Sequence, residues 1–379
     1  MSSRATVIGA AQRDGLFSVS TISYTRFVVD TWMALCSGLG YPPEIAAQAV
    51  GELEFATAGW GANLIGPQRR YPSYVSRDGF PVEFSVSWRG GEPEVRVLFE
   101  SLGPALTPAS CQAAGQALTR SLAGRPGVSI DGYSSIEDLF VVDAPAPYRP
   151  TVWHSIAWRP GTAPRYKVYL NPQAQGVDRA AEVVGEAMAR LGMAHAWAPV
   201  ALQSRSLADD GHELEFFALD LAPDREARAK VYFRHPAMEL VELNRVASFA
   251  AAHDPDRATT AFRAVYGEDT TRVENSPMTC LSFRAGGHGA AEANVYLRLP
   301  RNSPSDAESS RRITDVMRGE GVAPEPYLAM LDALAPRSLD GSVGLQELLA
   351  FRTAGRPRAD LCVYLRCSVY ATSVDTRHV

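Results

Sequence analysis

Three residue types recur at one spacing in this chain, and together they define a chemistry. Lys precedes a tyrosine by two residues and Arg by four in "RYKVYLNPQ" (Arg165, Lys167, Tyr169) and in "RAKVYFRHP" (Arg228, Lys230, Tyr232). "EANVYLRLP" sets Asn294 before Tyr296 and Arg298 after it, and "DLCVYLRCS" sets Arg366 after Tyr364. If each segment is a strand, alternate side chains share a face, so cations and tyrosines stand together while Val168, Leu170, Val231, Phe233, Val295, Leu297, Val363 and Leu365 point the other way. Converging cations suit a polyanion such as a diphosphate, held bidentately by Arg and as a point charge by Lys. Tyrosine faces suit a cation, each ring contributing about 0.5–2 kcal/mol. Both at once suit an allylic diphosphate that ionises, releasing diphosphate and leaving a carbocation that an aromatic cage shields from water.

The elements that must position these residues follow from the spacing. Tyr169 to Tyr232 is 63 residues, Tyr232 to Tyr296 is 64, and Tyr296 to Tyr364 is 68, which marks one repeated structural unit. Before each copy lies a second alternating segment, "TVWHSIAWRP", "ELEFFALDLAP", "MTCLSFRAGG" and "GLQELLAFRTAG", and each pair reads as a β-hairpin. Helical periodicity fills the intervals, in "VDRAAEVVGEAMARLGMAHAW", "SPSDAESSRRITDVMRGEG" and "PEPYLAMLDALAP". A divergent fifth unit comes first, with helices in "SYTRFVVDTWMALCSGLG" and "PPEIAAQAVGELEFA", strands in "FPVEFSVSWRGG" and "EVRVLFESLG", and Leu98 where the later tyrosines fall. Five ααββ units make ten antiparallel strands, an α+β arrangement. Closure into a barrel removes both open edges, so the expected architecture is a ten-stranded barrel with a polar lumen inside a ring of helices, built as a single domain over residues 1–379.

Composition sets the outer bounds. With 46% hydrophobic residues there is ample core material, and a net charge of −5 leaves no basic excess for nucleic acid. The opening "MSSRATVIGAAQRDG" lacks an apolar signal core and no apolar run is long enough to cross a bilayer, so a cytoplasmic protein without membrane partners is expected. The five cysteines are scattered and form no CxxC, which points to small buried hydrophobes. No DDxxD cluster, HExxH or P-loop is present; "AGGHG" reads as a hairpin turn. No metal site is expected.

Across "FPVEFSVSW", "VRVLFES", "KVYLNP", "RAKVYF", "EANVYLRLP" and "CVYLR" the chain resembles the aromatic prenyltransferases with the ABBA barrel, and among them the dimethylallyltryptophan synthase type, in its shorter bacterial form. The resemblance implies a prenyltransferase that moves a dimethylallyl group from dimethylallyl diphosphate to the indole of L-tryptophan, in secondary metabolism, with no cofactor and no metal. It implies that Glu83 binds the indole N–H, that Arg96, Lys167, Arg228, Lys230 and Asn294 hold the diphosphate, and that Tyr169, Tyr232, Tyr296 and Tyr364 shield the cation. Asn294 stands where the family commonly has glutamine. Ser368 stands where a second shield tyrosine is expected in the last repeat, and a basic residue expected nearby is Arg358 or Arg366. Glu83 or Lys167 would take part in the final proton removal. Read without the resemblance, Glu83 is equally a surface carboxylate on an edge strand. Two other functions stay open: an ABBA enzyme that prenylates a phenol or hydroxynaphthalene, and a non-catalytic barrel carrying an anionic or aromatic ligand. Attachment at a benzenoid carbon of free tryptophan is the favoured outcome by analogy.

Overall fold

The computed structural model describes residues 22–89, 92–223, 227–274, 277–334, 338–354, 360–367 and 369–370. The barrel strands are β1 (Val82–Arg89), β2 (Pro93–Glu100), β3 (Trp153–Trp158), β4 (Arg165–Leu170), β5 (Glu213–Asp220), β6 (Ala229–Arg234), β9 (Met278–Phe283), β10 (Glu292–Arg298), β11 (Gln346–Arg352) and β12 (Asp360–Leu365), while β7 (Met238–Glu239) and β8 (Arg272–Val273) form a separate small ladder. All ten barrel strands pair antiparallel, in the closed order β1-β12-β11-β10-β9-β6-β5-β4-β3-β2. The first strand therefore meets the last, with Phe84 opposite Leu365 and Val86 opposite Val363, and β1 is no edge.

Helices precede every hairpin, as the periodicity requires. The unit before β11 shows how one is fixed: Ser305 caps the helix Asp306–Gly319 by accepting from the Glu308 N–H. The buried Asp306 carboxylate then accepts backbone N–H groups of Gly344, Leu345 and Gln346, which ties that helix to the start of β11. The helices Tyr24–Gly38 and Glu325–Leu334 lie against each other. A Cβ on Gly38 would come within 2.6 Å of the Met330 Cα, so only glycine permits that approach.

Between helices and barrel lies the core. The outward residues Phe84, Val97, Val168, Phe217, Val231, Phe283, Val295 and Val363 are fully buried there, so the apolar face of each strand points away from the lumen. Among the described residues no helix is long and apolar enough to cross a membrane. Phe217 stacks on Phe140 at 5.2 Å between ring centroids. Phe217→Ala is expected to cost about 3–5 kcal/mol through lost burial and a residual cavity, read as a lower denaturation midpoint in urea.

Candidate active site

Closure turns the repeat into layers. Tyr169, Tyr232, Tyr296 and Tyr364 project inward at one level, with successive ring centroids 6.1, 5.7 and 5.9 Å apart. Cross-strand register places each between a large and a small residue: Tyr169 between Trp153 and Ala218, Tyr232 between Phe216 and Cys280, Tyr296 between Met278 and Ala350, Tyr364 between Leu348 and Ser85. In the first unit Leu98 takes the tyrosine's place, between Glu83 and Ser155. The one gap in the tyrosine arc thus falls beside the one carboxylate among the five large positions.

Two residues earlier along these strands stand Arg96, Lys167, Lys230 and Asn294, which line one pocket with the four tyrosines, Ala350, Asp360 and Cys362. Behind them the Lys167 ammonium lies 3.0 Å from Asp220, which also accepts from Arg228 at 2.7 Å. Arg96 is held by Glu94 at 2.7 Å, and Arg165 contacts the same carboxylate. Arg89 and Arg352 share Glu292 and Asp360. Seven cations (Arg89, Arg96, Arg165, Lys167, Arg228, Lys230, Arg352) meet four carboxylates (Glu94, Asp220, Glu292, Asp360), so this end of the lumen carries an excess of three positive charges among the described residues. Lys230 has no carboxylate at ion-pair distance among them.

Burial sets the protonation states. It brings the Lys167 ammonium down to about 7 against the pull of Asp220, with Lys230 and Arg228 adding to the fall. For Asp220 burial acts upward, but Lys167 and Arg228 outweigh it and hold the carboxyl below the usual range. The tyrosines are raised by burial and stay neutral phenols. On the far side of the tyrosines, burial pushes Glu83 up to about 8, helped by the nearby Glu347 charge and opposed by Arg298. Below pH 8 Glu83 is mostly protonated.

That far side holds residues the sequence pattern did not single out. β-Bulges in β5 and β11 each insert a glutamate, Glu215 and Glu347, and turn it inward. Arg234 and Tyr74 bind Glu215 at 2.9 and 2.5 Å, while Arg298 and Arg77 bind Glu347 at 2.5 and 3.1 Å. Tyr74 packs with Trp153 and Phe216, whose own rings are 5.3 Å apart, as an aromatic wall.

Among the expected site residues, Arg96, Lys167, Lys230, Asn294 and the four tyrosines come together in one pocket. Arg228 stands behind it through Asp220, and Glu83 lies beyond the tyrosines. Arg366 does not join the cations: Lys167 and Lys230 come two residues before their tyrosines and Arg366 two after, which puts it on the opposite side of the layer, 3.9 Å from Glu347. Arg358 and Ser368 lie outside the described residues. The cation that the last repeat lacks is supplied next door by Arg352, opposite Asn294.

The layering can hold an anion at one end, a cation in the middle and a polar N–H at the other. If Lys167 must be charged to take an anion, kcat/KM for a diphosphate substrate falls as pH rises through about 7; if the Glu83 carboxylate is the better N–H acceptor, kcat/KM for the acceptor climbs towards pH 8. Glu83→Gln should flatten the second limb and leave the first. A second limb that survives unchanged would assign it to another group.

Comparison with known proteins bears on the fold and the family. The model of the tryptophan dimethylallyltransferase family matches residues 56–327. The structure is similar to 6-dimethylallyltryptophan synthase from Micromonospora olivasterospora in complex with DMASPP and tryptophan, with a TM-score of 0.82 and 28% identity over 92% of this chain and 98% of that one. Similarity to 5-dimethylallyltryptophan synthase from Streptomyces coelicolor is equal in TM-score, 0.82, at 27% identity over 93% and 99%. AnaPT from Neosartorya fischeri, 15% identical over 98% of this chain and 100% of that one with a TM-score of 0.77, shares the fold. The chain belongs to the tryptophan dimethylallyltransferase family, and is a prenyltransferase built on the ABBA barrel.

Proposed function

We propose that the enzyme transfers a dimethylallyl group from dimethylallyl diphosphate to the indole ring of L-tryptophan without a metal ion. The observation that carries this reading is the order of layers along the lumen: cations, tyrosines, then Glu83. Dimethylallyl diphosphate sits with its phosphates on Arg96, Lys167, Lys230 and Asn294 and its isoprenyl tail among Tyr169, Tyr232, Tyr296 and Tyr364. Its C–O bond breaks with the electron pair leaving on diphosphate, and the fixed cations stabilise that charge as it forms. The allylic cation remains against the tyrosine faces, out of reach of water. Glu83 accepts the indole N–H and turns the ring towards the cation through the Leu98 gap. A ring carbon or nitrogen then bonds to the cation, and loss of its proton restores aromaticity. In this reading Glu83, as its carboxylate, takes that proton, with Lys167 the alternative base once it has given up its own proton.

The new bond in this reading is made by a substrate whose leaving group the protein's own cations neutralise, the role magnesium fills elsewhere. Purified protein incubated with both substrates in excess EDTA should yield a tryptophan product heavier by one dimethylallyl group, at a rate within about twofold of that with magnesium. Complete loss restored by magnesium would overturn metal independence. Product from a hydroxynaphthalene but none from tryptophan would overturn the acceptor.

A further inference from the structure

The acceptor side of the tyrosine layer contains an ionic pair that is incomplete. Glu347, inserted by the β11 bulge, offers Oε1 to Arg298 and Arg77, but its Oε2 is buried with no hydrogen-bond partner. The Nη1 of Arg366 stands 3.9 Å from that oxygen, beyond hydrogen-bond length, and the Arg366 Nε is also buried without a partner. An unmatched acceptor and an unmatched donor therefore lie side by side. Buried polar groups are nearly always matched, and leaving one unmatched is costly, so such a pair marks the place of a partner. The equivalent bulge on the other wall is complete, since both Glu215 oxygens accept hydrogen bonds, from Tyr74 and Arg234.

We propose that Arg366 and Glu347 read the head group of a free amino acid, Arg366 taking the α-carboxylate and Glu347 the α-ammonium. An amino-acid zwitterion presents one anion and one cation on the same carbon, the complement of this pair. Arginine's planar fork matches a carboxylate, and the donors of an ammonium suit the open Glu347 oxygen. Position agrees: Arg366 directly follows Leu365, which pairs with Phe84 beside Glu83. The head group and the ring N–H would be gripped on the same wall, as they must be when two single bonds join the indole to the α-carbon. The inference rests on tryptophan being the acceptor and specifies which form of it: free, with both charges, rather than acylated or within a peptide.

The test compares kcat/KM for L-tryptophan, indole-3-propionate, which lacks the ammonium, and tryptamine, which lacks the carboxylate. In the unaltered enzyme each analogue should fall about 100-fold or more below tryptophan, because a site built for a polar group rejects the analogue lacking it. Glu347→Gln should narrow the tryptophan to indole-3-propionate ratio by about tenfold or more and leave the tryptophan to tryptamine ratio near its starting value. Arg366→Met should do the reverse. Equal losses on all three acceptors would reduce both residues to structural support and overturn the proposal, as would an unaltered enzyme that uses the analogues as well as tryptophan; this last comparison needs no variant to fold. Prenylation of a hydroxynaphthalene with no product from any indole would instead remove the acceptor reading, and this inference with it.

Discussion

Lys230→Met is expected to lower kcat by about 100- to 1,000-fold while leaving the protein as stable as before or more so. The first half follows from position: Lys230 lines the pocket with Arg96 and Lys167, and removing one preorganised charge from a developing anion costs on that scale. The second half follows from its surroundings. Burial lowers the Lys230 ammonium from its usual range, and no described carboxylate lies at ion-pair distance from it, so it is a buried charge without a direct partner whose removal relieves a penalty. Steady-state product formation and a thermal melt on the same preparation check both. A variant that loses activity and melts well below the parent would show that Lys230 supports the fold, and normal activity would remove it from the diphosphate site.

The Glu83→Ala variant should lose about 100-fold in kcat/KM for tryptophan, the scale of a lost charge-assisted hydrogen bond in a buried site, while still ionising dimethylallyl diphosphate. Without the N–H anchor the cation outlives its acceptor and is captured by water, so the ratio of prenyl alcohol to prenylated tryptophan rises. Glu83→Gln separates two ways of acting. A glutamine oxygen can still accept the N–H but cannot take a proton, so retained activity would assign Glu83 to orientation alone, and a loss equal to that of alanine would assign it to the proton as well. Unchanged product partitioning in both variants would end its role.

Much of this molecule was legible because its signals are periodic. Alternation in the four VY segments and their partners marked eight barrel strands, and the divergent first unit supplied the other two. The four tyrosines share a level because the repeat length carries each to the same height. What escaped was whatever breaks the period. Glu215 and Glu347 occupy bulges, so a count by twos sends them outward when the backbone turns them in. Arg352 ends a strand, "LLAFR", that is apolar on both faces, which hides its inward side. Tyr74 and Arg77 come from a connection ahead of β1 that has no period at all. Arg366 was misplaced for a different reason: alternation reports the face of a strand, whereas the sign of the offset from tyrosine decides which end of the lumen a side chain reaches.

The pairing of β1 with β12 has a bearing on how the active protein comes into being. Glu83 and Arg96 lie within the first hairpin and Tyr364 on the last strand, joined only by the contact that seals the barrel. Such a long-range closure is among the slowest steps open to a chain, since its loop entropy must be overcome before the contact rewards it. A chain emerging from the ribosome would carry nine of its ten barrel strands with the tyrosine arc incomplete and the Glu83 wall unsupported. The lumen that carries the cations, the tyrosines and Glu83 together would then be completed only with the final strand.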